Sequence, residues 1–205
     1  MKSSYTLNFC FKGSRNYVQG PDIFDTVIKQ LSQTFNKITK IKYTAYEMLY
    51  TNASLCVTDS FVKSDYPIIN SLITFIHQEI KYYAVISSND TAIECSQEYS
   101  EVVVQKSSLI QKQTISFQNT LNAASYTEIV VSMNKYFLST SVDVEGKWIV
   151  TKFDYDNVDT IMNIQNQNLK IELVQNLSNK LTKSTLYLAD KKVGNLYFTL
   201  IPKES

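Results

Sequence analysis

The stretch Phe11-Lys-Gly-Ser-Arg-Asn-Tyr-Val-Gln-Gly-Pro-Asp-Ile-Phe-Asp25 joins a strand pattern to a helix pattern, and its reading decides the fold. Before it, Tyr5, Leu7, Phe9 and Phe11 alternate with Thr6, Asn8, Cys10 and Lys12, the period of a half-buried strand. Gly13 ends that strand. Gly20-Pro21 opens a helix, because proline lacks the N–H that a first helical turn leaves unpaired. Asp22 and Asp25 follow in the first turn, where negative charge suits the helix dipole. Ile23, Phe24, Val27, Ile28, Leu31 and Phe35 recur at helical spacing over one wide face. This predicts a helix over Pro21 to Phe35, pressed deeply against a sheet.

Downstream the pattern is mostly β. Ile38 to Tyr50 and Ala53 to Val62 are rich in residues that suit strands. Leu72 to Ser87 reads as one long strand with a bend, carrying His77 and Glu79 on one face. Ala92 to Gln105 and Leu109 to Gln118 read as two further strands. Ser125-Tyr-Thr-Glu128 has the spacing of a capping box and predicts a second helix over Tyr126 to Leu138. Lys147 to Tyr155 carries the only tryptophan, and Asn157 to Asn168 is polar. Leu169 to Asn176, Leu181 to Ala189 and Val193 to Ile201 close the chain as strands. The order of strand, helix and several strands occurs twice, over Tyr5 to Gln105 and Leu109 to Ile201, as a repeat of pattern and not of residues.

Composition bounds the functions. The chain has 205 residues, room for one large domain or two small ones, and a formal net charge of +1, which gives no footprint for nucleic acid. No apolar run is long enough to span a membrane as a helix. The N-terminus alternates and lacks the continuous apolar core of a signal peptide. Three cysteines, Cys10, Cys56 and Cys95, stand far apart without CxxC spacing. Together with the single histidine they complete no familiar zinc set. They are read as reduced thiols of a cytoplasmic protein, three free thiols in all. Sequons occur at Asn52, Asn89 and Asn176, and without secretion they carry no meaning. No cofactor motif is present.

One strand, one buried helix and a run of long antiparallel strands, given twice, resembles the hotdog-fold superfamily in its double form. The resemblance covers most of the chain at the level of element order. It implies an α+β fold of two hotdog-like units, over 1–106 and 107–205, each a long antiparallel sheet wrapped around one central helix. It implies binding of an acyl thioester or a similar apolar ligand, with thioesterase-like or dehydratase-like chemistry. Dehydratases of the superfamily use a histidine before the helix, and no histidine stands just ahead of either helix here. Its thioesterases use a carboxylate on a helix, which Asp22 and Asp25 match loosely.

The candidate catalytic residues are therefore Asp22, Asp25 and His77. The candidate ligand-binding residues are Arg15, Tyr17, Gln19 and Gly20. Arg15 is the only arginine, and its fixed fork of donors suits a phosphate or carboxylate. No metal site is read. The competing expectation is a non-catalytic interaction or assembly protein. Its partner surface would be a tyrosine-rich sheet face, since fourteen tyrosines include Tyr43, Tyr46, Tyr50, Tyr82 and Tyr83. Either function leaves a homo-oligomer open.

Overall fold

The computed structural model describes residues 2–118, 124–162 and 164–203. The chain divides into two compact units, Met1–Ser100 and Glu101–Ser205. Both are built of antiparallel sheet with few helices, an α+β architecture.

The first unit contains β1 (Lys2–Leu7), β2 (Phe11–Lys12), α1 (Gly20–Leu31), β3 (Thr39–Ala45), β4 (Ala53–Thr58), β5 (Ser71–His77), β6 (Ile80–Ser88) and β7 (Ser96–Gln97). Its sheet runs in the order β1-β4-β6-β5-β3, with antiparallel neighbours throughout. The inward positions Leu55, Val57, Ile73, Phe75, Ala84 and Ile86 are all buried, as the period of two demands. α1 buries Ile23, Phe24, Val27, Ile28 and Leu31. It stops at Leu31, short of the Phe35 expected from periodicity, and a turn follows. Phe35 is nonetheless buried, with its ring 5.0 Å from both Phe75 and Tyr82, so it anchors the segment after the helix onto β5 and β6.

The second unit contains α2 (Val102–Ser107), β8 (Leu109–Gln111), β9 (Thr114–Gln118), α3 (Tyr126–Ser141), β10 (Gly146–Asn157), α4 (Val158–Met162), β11 (Asn168–Leu177), β12 (Leu181–Leu188) and β13 (Lys191–Pro202). Its strands run in the order β10-β13-β12-β11-β9-β8, again antiparallel. α3 begins with the expected capping box: Glu128 N–H donates to Ser125 Oγ at 3.0 Å, and Ser125 N–H to Glu128 Oε2 at 3.1 Å. The helix packs against β9, β10 and β11 and buries Ile129, Val130, Met133, Phe137 and Leu138.

Four expectations are corrected. The long strand over Leu72 to Ser87 is a hairpin, β5 and β6, turning at Gln78 (φ 48°) and Glu79 (φ 66°). Two left-handed residues make a tight turn whose twist suits the strands, but neither is the glycine or asparagine that announces one. Glu79 lies in that turn, so it does not share a strand face with His77. Leu109 to Gln118 is likewise a hairpin, with Lys112 left-handed (φ 52°). Ala92 to Gln105 is no strand: it holds the two-residue β7, then α2 begins at Val102. Three consecutive valines favour a strand locally, but tertiary packing overrides them. Val104 is buried, and Glu101 at the helix start binds Lys135 of α3 at 3.1 Å. Finally, Cys10 and Cys95 form a disulfide across 85 residues of sequence, which leaves Cys56 as the one free thiol. An odd cysteine count does not forbid one pair, and the β2–β7 pairing brings these two together.

Candidate functional site

The loop from Lys12 to Gln19 is shaped by three constraints. Gly13 takes φ +63°, a conformation that side-chain-bearing residues resist. Val18 pairs with Leu49 as an isolated bridge, its N–H donating to Leu49 O at 2.8 Å. Gln19 is the N-cap of α1, extended at φ −75° and ψ 149°, and Gly20 and Pro21 open the helix. The loop is also bonded to the segment 92–100, since Phe11 N–H donates to Cys95 O and Gly13 N–H to Gln97 O, both at 2.9 Å.

These constraints gather charge around one ring. The Arg15 guanidinium lies 5.0 Å from the centroid of Tyr99, and the Lys12 ammonium 5.5 Å from the same ring. Cations are drawn to the electron-rich face of such a ring. Arg15 Nη1 donates to Lys12 O at 3.4 Å, and Lys12 forms an ion pair with Asp22 in the first turn of α1. Arg15, Tyr17, Gln19, Gly20 and Asp25 are all half-buried. The arrangement offers two cations, an aromatic face and a helix-borne carboxylate in one place. It can hold an anionic group and a flat ring together.

His77 is elsewhere. It ends β5, its Nδ1–H donates to Lys37 O at 2.9 Å, and its ring lies 5.2 Å from Phe35. Those neighbours follow the C-terminal end of α1, whereas Asp22 stands at the start of this 12-residue helix. A helix of that length extends about 18 Å. The geometry joins Asp22 to Lys12, Arg15 and Tyr99 and gives His77 a packing and bridging role.

Lys12 and Tyr99 were not among the residues picked out by sequence. Lys12 reads as a polar strand position, and Tyr99 is 84 positions from Arg15 with no local signal. Asn134 was missed as well. It is fully buried in α3, and its Oδ1 accepts from Ser184 Oγ of β12 at 2.9 Å. Its Nδ2, and the Oγ1 of Thr182, have no partner among the described residues. These groups are neutral and cannot act as a general base.

The five tyrosines expected to make a tyrosine-rich face do not share one surface. Tyr43 and Tyr82 are core residues, and Tyr46 and Tyr50 are exposed at 51% and 55%. Tyr83 stacks on Phe61 at 5.3 Å, and Phe61 on Tyr66 at 5.6 Å, so the chain's own residues cover it. Burial, then the neighbouring Cys56 thiol, pushes the Tyr66 phenol up to about 12. No group of His, Cys, Asp and Glu among the described residues could hold a metal ion.

Known structures share this arrangement of sheet and helix. It is the fold of hotdog-type thioesterases and polyketide dehydratase domains. The dehydratase domain of PpsC from Mycobacterium tuberculosis, solved with C12:1-CoA, matches with a TM-score of 0.55 at 8% identity, over 98% of this chain and 93% of that one. The tesB protein of Mycobacterium avium subs paratuberculosis matches with a TM-score of 0.53 at 6% identity, over 97% and 93%. A chain from Thermobifida fusca described as a thioesterase II matches with a TM-score of 0.51 at 6% identity, over 98% and 92%. No protein-family model matches the sequence. A comparison with curated proteins finds no match either. At such identities the likeness is one of fold alone.

Proposed function

We propose that this protein binds an acyl thioester of the acyl-CoA or acyl-carrier type, with the polar part of the ligand at the Lys12–Gly20 loop. The observation that carries the proposal is the cluster of Lys12, Arg15 and Tyr99 beside the first turn of α1. Such a ligand brings phosphate for the cations and, in coenzyme A, a base for the ring. The fold adds support, because a structure of the same fold holds an acyl-CoA. Under this proposal Arg15, Tyr17, Gln19 and Gly20 are ligand-binding residues.

Catalysis, where it occurs, falls to Asp22 or Asp25 as a carboxylate base in a thioesterase-like hydrolysis. A dehydratase-like reaction needs a second acid–base group within hydrogen-bond reach, and His77 stands toward the other end of α1. The interaction-protein alternative is the weaker one, because its tyrosines are scattered between core and surface. The cytoplasmic expectation loses its ground in the cysteines, because Cys10 and Cys95 are paired.

Calorimetric titration tests it. Acyl-CoA should bind more tightly than coenzyme A, and the free fatty acid least well. Arg15→Lys keeps the charge but loses the planar fork and the ring stack, so its affinity should fall by about tenfold. Equal affinity in both proteins would remove Arg15 from the site.

A further inference from the structure

We propose that the Cys10–Cys95 disulfide is a redox latch that holds Tyr99 against Lys12 and Arg15 and so sets the affinity of the loop for its ligand. Three observations lead there. First, the bond is accessible: Cys95 is exposed and Cys10 half-buried, whereas a disulfide that staples a core lies inside it. Exposed disulfides are the ones that reductants reach.

Second, the segment it tethers contributes little to the core. From Glu94 to Glu98 every residue is exposed, and Tyr99 is half-buried. Its start is fixed at Asn52, whose backbone N–H donates to Thr91 O and whose Nδ2 donates to Ala92 O, both at 2.9 Å. Beyond that clamp, the pairing of Phe11 with Ser96 and Lys12 with Gln97 and the disulfide itself bind it to the loop. A two-residue parallel pairing is far below the length that holds a strand on its own.

Third, the tether acts where ligand would bind. The bonded pair stands two residues before Lys12 on one side and four before Tyr99 on the other. Reduction by a dithiol, small or protein-borne, proceeds by attack of its thiolate on one sulfur. A mixed disulfide forms, and the second thiol then closes the reductant's own disulfide. Two electrons pass to the protein, and Cys10 and Cys95 are left as thiols. The segment then keeps only its non-covalent ties to the loop, and the ring is held less firmly against the Arg15 and Lys12 side chains. Binding must restore that order, and immobilising one such side chain corresponds to roughly a three- to tenfold loss of affinity.

The ligand half of the inference rests on the acyl-thioester site proposed above, whereas the latch itself does not. The test therefore uses two readouts on the full chain in three forms: oxidised, reduced with dithiothreitol and alkylated, and Cys10→Ser/Cys95→Ser. Thiol titration of the denatured oxidised form should count one free thiol, and of the reduced form before alkylation, three. Hydrogen exchange should show amides of residues 94–99 exchanging at least ~10-fold faster in the reduced and serine forms, with β4–β6 unchanged. Coenzyme A should bind the oxidised form about three- to tenfold more tightly. Three results overturn the latch: three free thiols before reduction, unchanged exchange over 94–99, or faster exchange with the same affinity. If coenzyme A and acyl-CoA bind none of the forms while the exchange difference is present, the ligand proposal falls and the tether stands.

Discussion

Asn52 shows at the scale of one residue how this fold is held where it is least regular. It is 7% exposed, and its Oδ1 accepts from Phe9 N–H at 2.8 Å just where β1 has ended. With Nδ2 on Ala92 O, it ties the end of the first strand to the segment that carries Cys95. Asn52→Ala should therefore cost about 1–3 kcal/mol in a urea melt, the penalty for leaving a buried backbone donor unpaired. The same burial shows that the Asn52 sequon is structural in the folded chain. Buried tyrosines make a second test at this scale. Burial pushes the phenols of Tyr43 and Tyr126 above the ordinary phenol range, the former opposed by a hydrogen bond with Ser71. The unfolded chain loses these protons near pH 10 and the folded chain later. The folded state thus binds more protons there, so stability is full below that pH and falls as pH rises through and above it. Urea midpoints between pH 9 and 11 should fall, and less steeply in the Tyr43→Phe/Tyr126→Phe double variant. The Tyr126 hydroxyl has no partner among the described residues, so its removal should cost little at neutral pH.

The elements differ in how much of them local chemistry announces. α1 and α3 were legible because proline, early acids and a capping box declare their starts, and apolar periodicities declare their buried faces, though not their last residues. The closing strands were legible because alternation there is regular. What was not legible depends on contacts distant in sequence. Gln78 and Glu79 turn through left-handed conformations that neither residue type signals. Of the α2 valines only Val104 is buried, in a helix that packs against α3 and β9, while Val102 and Val103 face solvent. At the candidate site, Arg15 and Asp22 stood out by type and position, but the ring against Arg15 and Lys12 comes from Tyr99. Leu31 measures the element that mattered most to the fold assignment. It is 1% exposed in the last turn of α1, so Leu31→Ala should lower stability by about 2–5 kcal/mol. A chemical melt indistinguishable from the unsubstituted protein would mean that α1 is not packed as described.

At the scale of the whole molecule, the chain gives each of two units an antiparallel sheet and a buried helix, and puts its distinctive charges in the first. Reading the cysteines by count alone hid the pairing that fastens those charges to an aromatic ring. The proposed acyl-thioester site is one place, the loop from Lys12 to the first turn of α1. The most direct test is a hydrogen-exchange footprint of the oxidised protein with and without saturating acyl-CoA. The ligand should slow exchange over residues 12–24 and 94–99, the loop, the start of α1 and the tethered segment, by severalfold or more. Binding that leaves those residues unchanged and protects another region, or no binding at all, would contradict the account.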